Sequence, residues 1–445
     1  MNFIYIKMLQ LKMLKYILTL LVPLFFLGCD SKTDNTATSA PVTNVNTTEM
    51  LSSLNECNTQ DFATLTSPTN TPMLVILLNY NNIKINSNTS VWGEKIFGKN
   101  DSQLNHYFQE VSNEQFEFAQ ATECKGIVSV TLYKNHPDAS IDSVFFGDRV
   151  HPDLALALTT ADEKISFDIY DTNGDAKITP NELVLTFIIA GYEDAYEGYH
   201  VTNGIWAHQY CTNDTNTPLL DGVSLMGCST GGNYSLFGER HGIVTPHDAT
   251  IGVIAHELGH SAFSLPDLYD TSGGDGGIGY FGLMGSGAWS RKNNSEYYGQ
   301  TPTHMSAWSK VFNNWLTPDT SIGVGKTVIE TFLNNSNVYK VSIDADNYYL
   351  IENRNNNGYD RGLFRLVGDF QGGLAIWKID ETIINSNIGS NTVNNGSSRG
   401  VDLMEAVDGT NNENNLFYDT NVDSFAPANI TSIGPRDSVM TININ

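Results

Sequence analysis

Three side chains in a five-residue stretch could do chemistry together. They are His256, Glu257 and His260 of "AHELGH". Residues four apart share one face of an α-helix, so both imidazoles can reach one ion. Glu257 sits about a hundred degrees further round. It cannot join the pair, but its carboxylate can reach a water on the same metal. The residues before, "IGVIA", are apolar, so the helix is expected to be buried, near residues 248–263. Three polar side chains buried there are costly unless a metal or other partners satisfy them. The pattern therefore predicts a zinc site with Glu257 as general base.

Two histidines do not complete a catalytic zinc centre; three protein ligands and an open position are usual. Carboxylates further on, Asp267 and Asp270 in "LPDLYD" and the more distant Glu296, are the candidates for a third ligand. Met284, in the Gly-rich "GYFGLMGSGAWS", suits a methionine-bearing turn beneath the metal, the second mark of metzincin sites.

A second cluster has hard-cation spacing. In "DTNGDAKITPNE" (171–182), Asp171, Asn173, Asp175, Thr179 and Glu182 fall at loop positions one, three, five, nine and twelve, and Lys177 offers its carbonyl at seven. The loop predicts bound Ca²⁺ acting as a stiffener. Ala176 stands at the sixth position, where glycine eases the turn.

The motifs "YDTNGDAKITPNELVLTFIIAGYED", "IWAHQY", "AHELGH", "LPDLYD", "FGLMGSGAW", "PTHMSAWSK", "YYLIENRNNNGYD" and "GGLAIWKIDE" run in that order from residue 170 to 381. In this the chain resembles the immune inhibitor A-like bacterial zinc metallopeptidases, of metzincin type. The resemblance implies an exported endopeptidase acting on proteins or peptides. It implies His256, His260 and Asp267 as ligands, from the family pattern HExxHxxGLPD. This chain departs from that pattern. The helix-ending glycine is missing, and Asp267 lies eleven residues after His256 rather than ten. Phe263 or Ser264 must then occupy a bend that glycine eases by taking positive φ. His208 and His304 match family positions and are read as structural. Two rival functions stay open: a surface-anchored binding protein that keeps the metal site without turnover, and a zinc amidase acting on a non-protein amide.

The elements that position these residues are legible in outline. "TPMLVILLNY" (71–80) and "LVLTFIIAGY" (183–192) are strand-length apolar runs. "SQLNHYFQEVS" (102–112) and "HPDLALALTTADEKI" (151–165) read as helices, the second with Pro152 near its first turn. "FEFAQ" (116–120) reads as a strand. The fold class predicted is an α/β (α+β) metzincin-like catalytic domain over 71–315. A β-rich C-terminal region follows over 316–445, packed on the first. Its strand-like runs are "KTVIETF", "VYKVSI", "NYYLIENR" and "GGLAIWKID".

The N-terminus reads as an address. "KMLKYILTLLVPLFFLGC" has a Lys-containing start, an apolar run and a small residue before Cys29, which predicts a lipoprotein signal over 1–29 with Cys29 lipidated. Residues 30–70 read as a disordered tether. The expected location is the bacterial cell envelope, lipid-anchored, or outside the cell. No later segment is long and apolar enough to span a membrane, so the lipid is the expected membrane contact. A monomer is expected. The remaining Cys57, Cys124, Cys211 and Cys228 suggest two disulfides; of three pairings, Cys211–Cys228 closes a local loop and leaves Cys57–Cys124. The formal charge of −25 makes nucleic acid an unsuitable partner.

Overall fold

The computed structural model describes residues 51–62, 69–138, 146–274, 276–321, 325–331, 337–407 and 415–445. The leader, Cys29 and most of the expected tether lie outside them.

A mixed sheet forms the scaffold. Its strands are β1 (Ser52–Cys57), β2 (Thr69–Asn79), β3 (Phe116–Gln120), β4 (Ile127–Leu132), β5 (Val184–Glu193), β6 (Gly204–Ile205), β7 (His208–Tyr210), β10 (Tyr234–His241) and β11 (His247–Asp248). A separate small hairpin supplies β8 (Leu219–Leu220) and β9 (Val223–Ser224). The main order is β1-β4-β2-β5-β10-β11. Strands β4, β2, β5 and β10 run parallel, while β1 and β7 pair antiparallel with β4 and β10.

The continuous apolar run of β2 is explained by burial on both faces. Met73, Val75 and Leu77 face one core with Trp92, Phe108, Ile254 and Leu258. Leu74, Ile76 and Leu78 face the other with Leu154 and Leu158. Helices α1 (Thr89–Phe97) and α2 (Leu104–Val111) lie with the first core. Helix α3 (Phe146–Ala161) covers the second, and the short α4 (Asp194–Glu197) follows β5. Helix α5 (Ile251–Phe263) carries the histidine pair and sits in the first core.

Beyond α6 (Ala307–Phe312) the chain turns to β-structure. Strands β13 (Val338–Ser342), β14 (Asn347–Arg354), β15 (Gly373–Asp380) and β16 (Val401–Met404) form an antiparallel sheet, with α7 (Glu381–Asn387) after β15. Strands β12 (Gly325–Glu330), β17 (Ile430–Ile433) and β18 (Val439–Ile444) form another. Leu350, Trp377 and Ile379 share a core with α5, whereas Ile351 and Ile376 face a third core with Ile442. The buried Arg354 reinforces the join: it donates to both carboxylate oxygens of Asp360 and to the Phe281 carbonyl at 2.7 Å.

Two boundaries differ from the sequence reading. Residues 52–57 are not tether but strand β1, an edge strand on β4 fastened by the Cys57–Cys124 disulfide. Their polar sequence hid this, because an edge strand can face water. Helix α3 begins at Phe146, so Pro152 falls inside it rather than in its first turn. The second disulfide is Cys211–Cys228.

Candidate metal centre

Helix α5 is tied down at both ends. Near its start the Gly252 N–H donates to the Gly299 carbonyl at 2.9 Å, and the Ala288 carbonyl lies so close that a Cβ on Gly252 would stand 1.9 Å from it. At its other end Phe263 is still helical and Ser264 takes the left-handed bend, φ 54 and ψ 26. The Ser264 N–H returns to the His260 carbonyl at 3.0 Å, the single bond of an αL helix stop, and the Leu265 N–H reaches the Gly259 carbonyl at 3.0 Å. The extra residue before Asp267 is thus taken up as one more helical residue. Phe263 is held there by ring contacts with Phe116 and Trp315, at centroid distances of 4.8 and 4.9 Å.

That bend delivers Asp267. Its Oδ1 lies 3.0 Å from His256 Nε2 and 3.3 Å from His260 Nε2. Zinc bonds of about 2.0–2.1 Å place tetrahedral donors roughly 3.3 Å apart, so the trio already has ligand spacing. Asp267 Oδ1 is buried and faces the two imidazole nitrogens, as a group that shares a cation with them would. The other imidazole nitrogens are occupied: His256 Nδ1 bonds the Leu283 carbonyl at 3.0 Å and His260 Nδ1 the Leu265 carbonyl at 2.6 Å. Each carbonyl can only accept, which fixes both Nε2 atoms as the metal-facing ones. Among the described residues this is the group of His, Cys, Asp or Glu with metal-holding spacing, its ligand atoms all within 4.8 Å of one another.

The electrostatics agree. Burial alone would lower the His260 pKa, yet Asp267 raises it to about 9. Asp267 is pushed far below the usual carboxylate range, with the nearby imidazoles overcoming the cost of burial. A cation favours this carboxylate and would displace the protons from the imidazoles. Glu257, next in the helix, is buried and its pKa is raised by that burial, against the pull of His256 and His260.

Met284 lies directly beneath. A Cβ on Gly259 would meet its sulfur at 2.5 Å, so the glycine of "HELGH" makes room for the methionine. The turn also holds both parts of the site: the Leu283 carbonyl orients His256, and the Met284 carbonyl accepts from the Leu268 N–H at 2.8 Å.

The alternatives for third ligand lie elsewhere. Asp270 is occupied by Ser272 and the Gly396 N–H, and Glu296 by Lys292 and Thr301. His208 bonds the Trp206 carbonyl and the Tyr234 hydroxyl, and His304 bonds Glu110, so neither joins the trio. In the 171–182 loop, Asp171 accepts from the N–H groups of Gly174, Asp175 and Ala176, and Asp175 accepts from that of Lys177. Glu182 folds back onto Thr179, and Ala176, in the place where glycine eases the turn, adopts a positive φ of 61°. The carboxylates of Asp171, Asp175 and Glu182 do not gather as closely as the trio does.

Two residues were missed. Tyr269 stacks near His256 with centroids 6.3 Å apart, and burial together with the neighbouring Asp267 carboxylate pushes its hydroxyl pKa up. It stood within "LPDLYD", and its place after the ligand was the available signal. Asn391, from the turn after α7, bonds Asp267 twice. Nothing local pointed to it.

Comparison with known proteins agrees with this site. The family described as immune inhibitor A peptidase M6, catalytic domain, matches residues 147–317. The pre-pro-metalloprotease PrtV of Vibrio cholerae serotype O1 (strain M66-2) is 32% identical over 152 residues, covering 33% of this chain and 16% of that protein. Immune inhibitor A of Bacillus thuringiensis subsp. alesti is 33% identical over 166 residues, covering 36% of this chain and 22% of that protein. The match therefore spans less than a quarter of either relative's length.

Proposed function

We propose that this chain, whose residues 147–317 match the immune inhibitor A peptidase M6 family, is an exported zinc endopeptidase that hydrolyses peptide bonds of proteins. The observation that carries the proposal is Asp267 Oδ1, buried and at ligand spacing from two oriented imidazoles. His256, His260 and Asp267 would hold the zinc. Bound there, zinc would supply Lewis acidity to a water and to the scissile carbonyl.

The chain's own groups do the rest. Glu257 takes a proton from the attacking water and passes it to the leaving amine nitrogen. Its raised pKa suits it to hold that proton between the two steps. Tyr269 and Met284 keep the ligand turn and the helix packed together, excluding water from below.

Export is supported by the leader-like segment ending at Cys29 and by two disulfides, which persist in oxidising compartments. A lipid on Cys29 would tether the protein to the envelope. Calcium in the 171–182 loop is a further part of the proposal, supported by its ligand spacing and its turn at Ala176. The reading of a turnover-free binding protein drew on the shifted Asp267 spacing, which Ser264 accommodates.

Glu257→Gln tests the mechanism. It should keep stoichiometric zinc and the parental fold while cutting casein cleavage by roughly 10²–10⁴-fold. Parental cleavage by that variant would remove Glu257 from the mechanism. Failure of the parent to bind zinc would remove the function.

A further inference from the structure

We infer that Asn391, far outside the matched catalytic segment, is a positioning residue that selects which oxygen of Asp267 meets the metal. The inference rests on the zinc reading given above. The Asn391 Oδ1 accepts from the Asp267 backbone N–H at 2.7 Å, and its Nδ2 donates to Asp267 Oδ2 at 2.7 Å. One amide thus grips the backbone and the side chain of the same residue in a closed ring. The backbone N–H can only donate and the carboxylate can only accept, so the amide has a single orientation. With Oδ2 occupied, Oδ1 is the oxygen left facing the imidazoles, 3.0 and 3.3 Å away.

The residue type fits this task in two ways. Asn391 ends the turn after α7 with φ 54 and ψ 40, a left-handed conformation that asparagine tolerates better than most side chains. Its amide is also neutral. A lysine or arginine could donate as well, but its charge would compete with a cation for the carboxylate.

The grip extends along the ligand segment. The Asn394 Nδ2 donates to the Leu268 carbonyl at 2.9 Å, and the Asn395 Oδ1 accepts from the Thr271 N–H at 2.8 Å. The Gly396 N–H donates to Asp270 Oδ2 at 3.2 Å. The loop 391–396 is therefore a clasp on 267–271. The turn past α5 lacks its usual glycine, and the clasp supplies from outside the positioning that this departure puts at risk.

The test is zinc affinity of the whole chain, measured by competition with a chromophoric chelator, with the visible spectrum of the cobalt(II)-substituted protein as a reporter of ligand geometry. Asn391→Gly keeps the left-handed turn and deletes the amide. Asn391→Asp keeps the shape but replaces the donor with a like charge. Both should lose roughly 10–100-fold in zinc affinity, the usual cost of removing a group that orients a ligand, and shift the cobalt spectrum. Asn395→Ala loosens the loop without touching Asp267 and should match the parent in both readouts. Parental affinity and spectrum in both Asn391 variants would overturn the inference while leaving the zinc site standing. An equal loss in Asn395→Ala would also overturn it, since loop order rather than the amide would then be responsible. No zinc uptake by the parent would overturn the functional reading together with this one.

Discussion

Ser264→Gly should make the protein more stable. Ser264 is exposed and sits at φ 54, ψ 26, where a side chain's Cβ crowds the following carbonyl. That conformation costs an L-residue about 1–2 kcal/mol. Glycine avoids the cost but loses roughly 0.5–1 kcal/mol more backbone entropy on folding. The difference favours glycine by about 0.5–1 kcal/mol, a rise of about 0.5–1 °C in the unfolding midpoint of a chain this large. Ser264→Val provides the opposite arm, because a β-branched residue is a genuine outlier there. It should destabilise by about 1 kcal/mol or more. It should also weaken zinc binding, since Leu265, next in the chain, orients His260 through a 2.6 Å bond. Thermal unfolding of the metal-free and zinc-loaded forms reads both effects. A lower midpoint for Ser264→Gly, or parental behaviour of Ser264→Val, would refute the view that this bend is a strained substitute for glycine.

Gly252→Ala sets two effects against each other. In the first turn of α5 alanine gains at most the roughly 1 kcal/mol of propensity that it has over glycine in a helix interior, but the new Cβ would stand 1.9 Å from the Ala288 carbonyl, a backbone atom that cannot step aside cheaply. Overpacking of this kind costs about 1–3 kcal/mol, so the midpoint should fall; a higher one would show that the helix has room to move. His208 is half-buried, and desolvation lowers its pKa to about 4. The unfolded chain binds a proton there near 6.5 and the folded chain does not, so this stability is present above pH 6.5 and lost as pH falls toward 4, by at most about 3 kcal/mol. Comparing the pH dependence of unfolding in the parent and His208→Phe isolates the imidazole, and identical slopes would refute it. Calcium added to the calcium-stripped, zinc-loaded chain should raise the midpoint, by about 2.7 kcal/mol of stability at a hundred times Kd. Glu182→Gln should abolish that gain. A midpoint indifferent to millimolar calcium would dismiss the loop as a site.

What could be read from the sequence depended on how far apart the cooperating residues lie. The histidine pair was legible because helix geometry alone places positions 256 and 260 side by side. The strand runs 71–80 and 183–192 were legible because burial on both faces leaves a continuous apolar imprint. The bend was half legible: the missing glycine was visible, but the choice between Phe263 and Ser264 fell to the aromatic cluster that keeps Phe263 helical. Strand β1 was hidden because "SSLNEC" carries little apolar pattern and owes its place to pairing with β4 and a disulfide to Cys124.

Asn391 lay further out of reach for a reason that also says something about the site. It stands among "NSNIGSNTVNNGSS", whose composition is that of any solvated turn. Its partner is 124 residues earlier. No periodicity or spacing rule connects the two; only the docking of the C-terminal sheet against α5 does, through Trp377, Ile379 and the Arg354 contact with Phe281. The local motif therefore specifies which atoms could bind a metal, while the fold as a whole specifies how one of them is aimed. Removing a distant amide should then alter the metal site as surely as altering its neighbours does, and that expectation separates this architecture from one in which the zinc helix and its turn are sufficient by themselves.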